Sequence, residues 1–155
     1  MDNNYYELKM YSLVLYQLDG IHKGIQTQHA ITEYGQAHPE NLEYKQWANK
    51  DKTTIILSAG GSIELIDAIE QLVANDITYA IFKEEDLYDK PTAVCFLVDE
   101  RVWDKKKWPD PSTYFMPSNT MGTLVPTRSY ENFHEEIGGN KNIFLRSFLP
   151  NYRRA

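Results

Sequence analysis

Apolar residues along this chain gather in short β-rich runs separated by stretches of helical period. The run at 10–17, rich in Tyr, Leu and Val, predicts a first strand. It passes through a polar turn into a helix over about 22–38, which Pro39 stops. Residues 39–49 predict a short second helix anchored by Leu42 and Trp47. A second strand, 53–58, leads to Gly60-Gly61-Ser62, which opens a helix through Ala74. In that helix Ile63, Leu65, Ile66, Ile69, Leu72 and Val73 recur at helical spacing. Ser62 is the expected N-cap, and Glu64 and Asp67 suit the positive end of the helix dipole. A third strand, 77–82, runs into the acidic loop 84–89. The fourth, 92–98, is continuously apolar, as a strand buried on both faces should be. The order β-α-α-β-α-β-β predicts an α/β fold: a four-stranded mixed sheet with helices on both faces and a right-handed crossover joining the first two strands.

The pattern changes after Val98. Residues 99–108 are charged and carry two Trp, and 109–130 are rich in Pro, Ser, Thr and Gly without a period, which reads as a linker. An apolar cluster at 143–149 follows. The expected division is an α/β domain over 1–108 and a C-terminal arm over 109–155, docked on its own core or on a second copy in a homodimer.

Composition limits the function classes. The 155 residues are 42% hydrophobic and 25% charged, a globular balance. No apolar stretch approaches the ~20 residues needed to cross a bilayer, and the start of the chain lacks the pattern of a signal peptide, so a soluble, cytoplasmic protein is expected. Cys95, the only cysteine, lies within an apolar strand and is expected to be a small buried residue. The net charge of −6 divides unevenly: residues 1–100 hold 7 Lys/Arg against 17 Asp/Glu, and 101–155 hold 9 against 5. The acidic part disfavours a polyanionic partner, and the basic tail locally reverses that.

On a helical wheel the first helix divides into an arc containing Ile21, Gly24, Ile25, Thr27, Ile31, Tyr34 and Gly35, and a polar stripe of His22, Gln26, His29, Glu33 and Gln36. The glycines would let the helix press on the sheet. The stripe reads either as a solvated face or as a row of ligand-orienting and proton-handling groups. Zinc is disfavoured, because His22 and His29 are two turns apart and span ~10 Å. Gly60-Gly61-Ser62 reads as a phosphate cradle at a helix start or as a plain strand-to-helix turn.

Gln26-x-x-His29-Ala30 in the first helix, Glu84-x-Asp86-Leu87 in the acidic loop and Thr92-Ala93 in the fourth strand occur in that order between residues 9 and 100. Together with the order of elements they resemble the type 2 peptidyl-tRNA hydrolase family in its compact form. The resemblance implies hydrolysis of the ester at the tRNA 3′ end, with neither metal nor cofactor, and a tRNA 3′ end or nucleotide-like ligand as partner. It implies catalytic roles for a lysine before the first helix, an aspartate after the third strand and a threonine at the fourth. Asp86 and Thr92 take the last two places. The lysine position holds His22, with Lys23 beside it. Gln26, His29, Gly60, Gly61 and Ser62 are the expected substrate-binding residues, and Lys105 to Lys107, Arg146, Arg153 and Arg154 would follow the tRNA backbone. The alternative is an inactive protein of this fold that sequesters a nucleotide or a host protein; a third reading is a structural dimer whose arm exchanges between subunits.

Overall fold

A computed structural model describes residues 5–111, 113–115, 124–126 and 130–155. Its centre is a five-stranded mixed sheet, one strand more than expected. The first four strands are β1 (Leu8–Leu15), β2 (Thr53–Gly60), β3 (Tyr79–Glu84) and β4 (Lys90–Asp99). The fifth, β7 (Arg153–Arg154), comes from the chain's last residues. The order across the sheet is β3-β4-β1-β2-β7. β1 and β2 are parallel, while β4 runs antiparallel to both β1 and β3. The ends of β1, β2 and β3 and the start of β4 therefore lie along one edge of the sheet. In open α/β sheets that edge is where ligands gather.

The two-residue alternation of strands divides the core. Leu8, Met10 and Val14 of β1 and Ala93, Cys95 and Leu97 of β4 face one way, against α1 (Gly20–Ala37) and the segment after it. Leu13 and Leu15 with Val94, Phe96 and Val98 face the other way, against Leu65, Ala68 and Leu72 of α3 (Ser62–Ala74). The expected helices on both faces are present. Cys95 is fully buried, and burial pushes its thiol up to about 12, where it is inert as a nucleophile.

The second helix is shorter than predicted. α2 (Leu42–Gln46) is capped by the Asn41 side chain and passes into one π-helical turn, Trp47–Asp51. Trp47 is the anchor, its indole N–H donating to the Thr53 carbonyl at 2.7 Å, whereas Leu42 is 80% exposed. Gly35 makes room for this segment and not for the sheet: a Cβ there would lie 2.5 Å from the Tyr44 hydroxyl oxygen. At Gly24 a Cβ would meet nothing, so no close approach explains that glycine.

β4 runs directly into α4 (Glu100–Trp103), a turn that the pattern did not predict. Within the expected linker, β5 (Thr113–Phe115) and β6 (Leu124–Pro126) pair antiparallel; residues 112, 116–123 and 127–129 lie outside the described residues. α5 (Tyr130–Glu136) and α6 (Asn140–Phe148) follow. Leu145 and Phe148 enter the same core as α3, with Phe148 packed on Phe96 at 6.2 Å between ring centroids. The C-terminal segment thus docks on its own sheet. Among the described residues no helix is long and apolar enough to cross a membrane.

Candidate functional site

α1 begins two residues earlier than its pattern suggests because Asp19 caps it. The Asp19 carboxylate accepts from the His22 backbone N–H at 2.8 Å and from His22 Nδ1 at 2.7 Å. Those two bonds hold the Asp19 carboxyl below its usual range. The imidazole that stands at the expected lysine position is therefore committed to a helix cap. Lys23 is half-buried, and its ammonium has no ion pair among the described residues.

The buried face of α1 is rotated from the predicted one. Ile21 is 77% exposed and Ile25 is also exposed, while Gln26, Thr27, Ala30 and Tyr34 are buried. Gln26, a member of the polar stripe, is only 6% exposed, which sets aside the solvated-face reading at that position. The reason is a set of polar partners that a hydropathy pattern does not register. Thr27 shares a hydrogen bond with Ser12 of β1 at 2.9 Å. The Gln26 amide nitrogen donates to Glu84 Oε2 at 3.0 Å, and its carbonyl accepts from the Thr92 hydroxyl at 2.9 Å. Both ends of the amide are used, so its burial is balanced by partners.

This Thr92–Gln26–Glu84 chain ties the start of β4, the first turns of α1 and the end of β3 into one unit. Glu84 is the member that sequence reasoning passed over in favour of Asp86. β3 extends two residues past its apolar run, through a bulge at Phe82/Lys83, and that extension delivers Glu84 to α1. The connection to β4 is tight: Glu85–Leu87 form one 3-10 turn, Tyr88 and Asp89 take left-handed backbone angles, and the Asp89 N–H donates to the Glu84 carbonyl at 3.1 Å. Asp86 is exposed on this turn. It shares with Glu33, Glu84 and Glu85 a cleft of about 470 Å³ walled also by Ile81, Phe82 and Lys83. His29 stacks on Phe82 at 4.5 Å between ring centroids, on the α1 side of the same strand.

The other expected residues fall elsewhere. Thr92 is fully buried, and its hydroxyl is spent on Gln26, so it holds that amide in place and presents nothing to a substrate. Gly61, not Ser62, is the N-cap of α3, and Ser62 is its first helical residue. Gly60, at φ +89°, lines a separate cavity of about 680 Å³ between α3 and the end of the chain. The Glu64 side chain folds over Gly60 and Gly61, so a Cβ on Gly61 would lie 3.0 Å from its carboxylate. A carboxylate in that place opposes anion binding at the turn. Arg146 is buried on Asp110, which removes it from the basic track expected along the tail, while Lys107 pairs with Glu100 at 2.9 Å and stays largely exposed.

No protein-family model and no curated protein matches this chain. The functional reading therefore stands on the residues themselves. Among the described residues no three His, Cys, Asp or Glu side chains converge in a way that would hold a metal ion. The arrangement offers a rigid amide, a carboxylate oriented by it, and an open cleft lined by further carboxylates and by Lys83; Lys23, on the first turn of α1, is not among the residues that line that cleft.

Proposed function

We propose that the chain is an ester hydrolase of the peptidyl-tRNA hydrolase type, with its reaction site at the edge where β3 ends and α1 begins. The observation that carries this reading is the hydrogen-bonded chain from Thr92 through Gln26 to Glu84. It unites the three segments that carry the sequence resemblance. In this scheme Asp86 takes a proton from water as the water oxygen attacks the ester carbonyl carbon. The bond from the carbonyl carbon to the terminal ribose oxygen then breaks, that oxygen takes the proton back from Asp86, and Lys23 supplies positive charge for the nucleotide end. Gln26 and Thr92 act as positioning residues, and Glu84 fixes the wall against which the ester lies.

Release of the blocked amino acid from an N-acetyl-aminoacyl-tRNA tests the proposal. Wild type should turn over, and Asp86→Ala should lower the rate by about 10²-fold or more while remaining folded, the usual scale of a lost general base. Unchanged turnover in that variant removes Asp86 from the mechanism. The second reading, a binding protein without catalysis, is favoured by the four carboxylates that line the cleft against a single cation, Lys83, and so oppose a polyanion. Absence of hydrolysis by wild type over a range of salt concentrations decides for it.

A further inference from the structure

The sheet face that carries α3 also holds a second cavity, of about 420 Å³, far along β1 from the candidate site. Its size lies within the range of small-molecule sites. Four cations line it: Lys9 of β1, Lys105 after α4, Arg146 of α6 and Arg154 of β7. In a chain of net charge −6 this is a local reversal. Two of the four, Arg146 and Arg154, come from the C-terminal segment, whose docking on the sheet closes the cavity.

Two of these groups are held in place before any ligand arrives. The Lys9 ammonium sits 3.5 Å from the centre of the Trp103 ring, a cation–π contact that fixes the side chain without neutralising it. Arg146 donates to the Arg101 carbonyl at 2.8 Å and to Asp110, with its side chain 5% exposed. Asp110 also lies 3.9 Å from Lys105, and it is the one carboxylate among the described residues that pairs with the cluster. Lys9 and Arg154 have no ion pair among the described residues. Arg154 is the register partner of Leu57, so it points to the same face as the cavity floor. That floor is aromatic and aliphatic, with Tyr11, Trp103 and Tyr152 beside Ile55 and Leu57.

Unneutralised cations on one wall and flat apolar rings on the floor select a ligand that is anionic at one end and planar and apolar at the other. We infer that this cavity binds a small organic phosphate with an aromatic ring, of the nucleoside monophosphate class, with Lys9 and Arg154 on the phosphate and the ring over the tyrosines. This site is separate from the Asp86 cleft and does not rest on hydrolysis.

The test is titration of the full chain with adenosine 5′-monophosphate at low salt, followed by calorimetry and by tryptophan emission, with adenosine and inorganic phosphate as separate probes. Saturable one-to-one binding is expected, with a Kd of about 1 mM or tighter. It should be at least about tenfold tighter than for either probe alone, quench emission through Trp103 and weaken as salt is added. The Lys9→Gln/Arg154→Gln double variant should lose about tenfold or more in affinity with an unchanged thermal midpoint. Should that variant unfold, Lys105→Gln, on an exposed side chain, supplies the same comparison with a smaller expected loss. Absence of saturable binding overturns the inference, as does equal affinity in a folded variant. Phosphate binding as tight as the nucleotide overturns the part played by the ring.

Discussion

Thr92 donates its buried hydroxyl to one oxygen, and the cost of that burial is met only while Gln26 is present. Gln26→Ala should therefore destabilise the protein by about 1–3 kcal/mol, the penalty for a buried polar group left without a partner. Thr92→Val removes the donor and leaves the amide carbonyl in the same position. The double variant removes both partners and should be less destabilised than the sum of the single changes, with a favourable coupling measurable by urea denaturation. Strict additivity would mean that the bond contributes nothing and that the proposed site lacks its rigid support. The same pair shows why the site was only partly legible in the sequence. Gln26 and Thr92 were both visible as candidates, but as a substrate-binding member of a polar stripe and as a catalytic threonine, not as partners of each other. Their mutual bond depends on how α1 leans over the start of β4, and helical period cannot express that tilt. Glu84 was hidden for a related reason: it lies beyond the apolar run of β3, and only the bulge carries the strand far enough to bring it to Gln26.

The elements themselves were largely written in local pattern. Strong β-rich runs and helical spacing placed the first four strands and both long helices to within a few residues, because each buries one face or two against a neighbour. What pattern could not give was the stitching between elements. Two carboxylates fasten the start of β1. Asp51, closing the π-helical turn, accepts from the Leu8 N–H and the Gln46 amide at 2.9 Å each, and from the Tyr5 hydroxyl. Glu100, at the start of α4, accepts from the Glu7 N–H at 3.1 Å and from Lys107 at 2.9 Å. Burial opposes ionisation at both, but the donors outweigh it and hold both carboxyls below their usual range. A carboxyl whose folded value is lowered contributes stability that is complete above its unfolded value, about 4, and is lost as pH falls through the folded value. The wild-type midpoint should accordingly decline on acidification below about pH 4. Asp51→Asn/Glu100→Gln should melt lower at pH 7 and show a flatter acid limb, the two curves drawing together in acid. Parallel curves down to pH 2 would show that these carboxylates do not carry the acid response.

At the scale of the whole molecule, the C-terminal segment completes the fold that the first hundred residues begin. β1 to β4 with α1 and α3 form a sheet covered on one face, and the other face is only partly closed by α3. Leu145 and Phe148 of α6 fill the remainder, Phe148 stacking with Phe144 at 4.9 Å and meeting Tyr152 edge-on at 5.0 Å, and β7 then pairs with the outer edge of β2. An unpaired edge strand beside an exposed apolar face would invite association between copies. Covering both with residues 140–154 is the physical reason for the fifth strand, and it links stability to the cationic cavity, one side of which the same segment supplies. Phe148→Ala should cost about 3–5 kcal/mol, the scale of a large aromatic side chain removed from a packed core. Ending the chain after Trp108 should lower the thermal midpoint by on the order of 10 °C or more, since several such contacts vanish together. That shortened chain should also associate more than the full chain in sizing experiments, through the uncovered face. A shortened chain that melts with the wild-type midpoint and associates no more than the full chain would mean that the first 108 residues close their core unaided, and the cationic cavity would then lose its structural reason to exist.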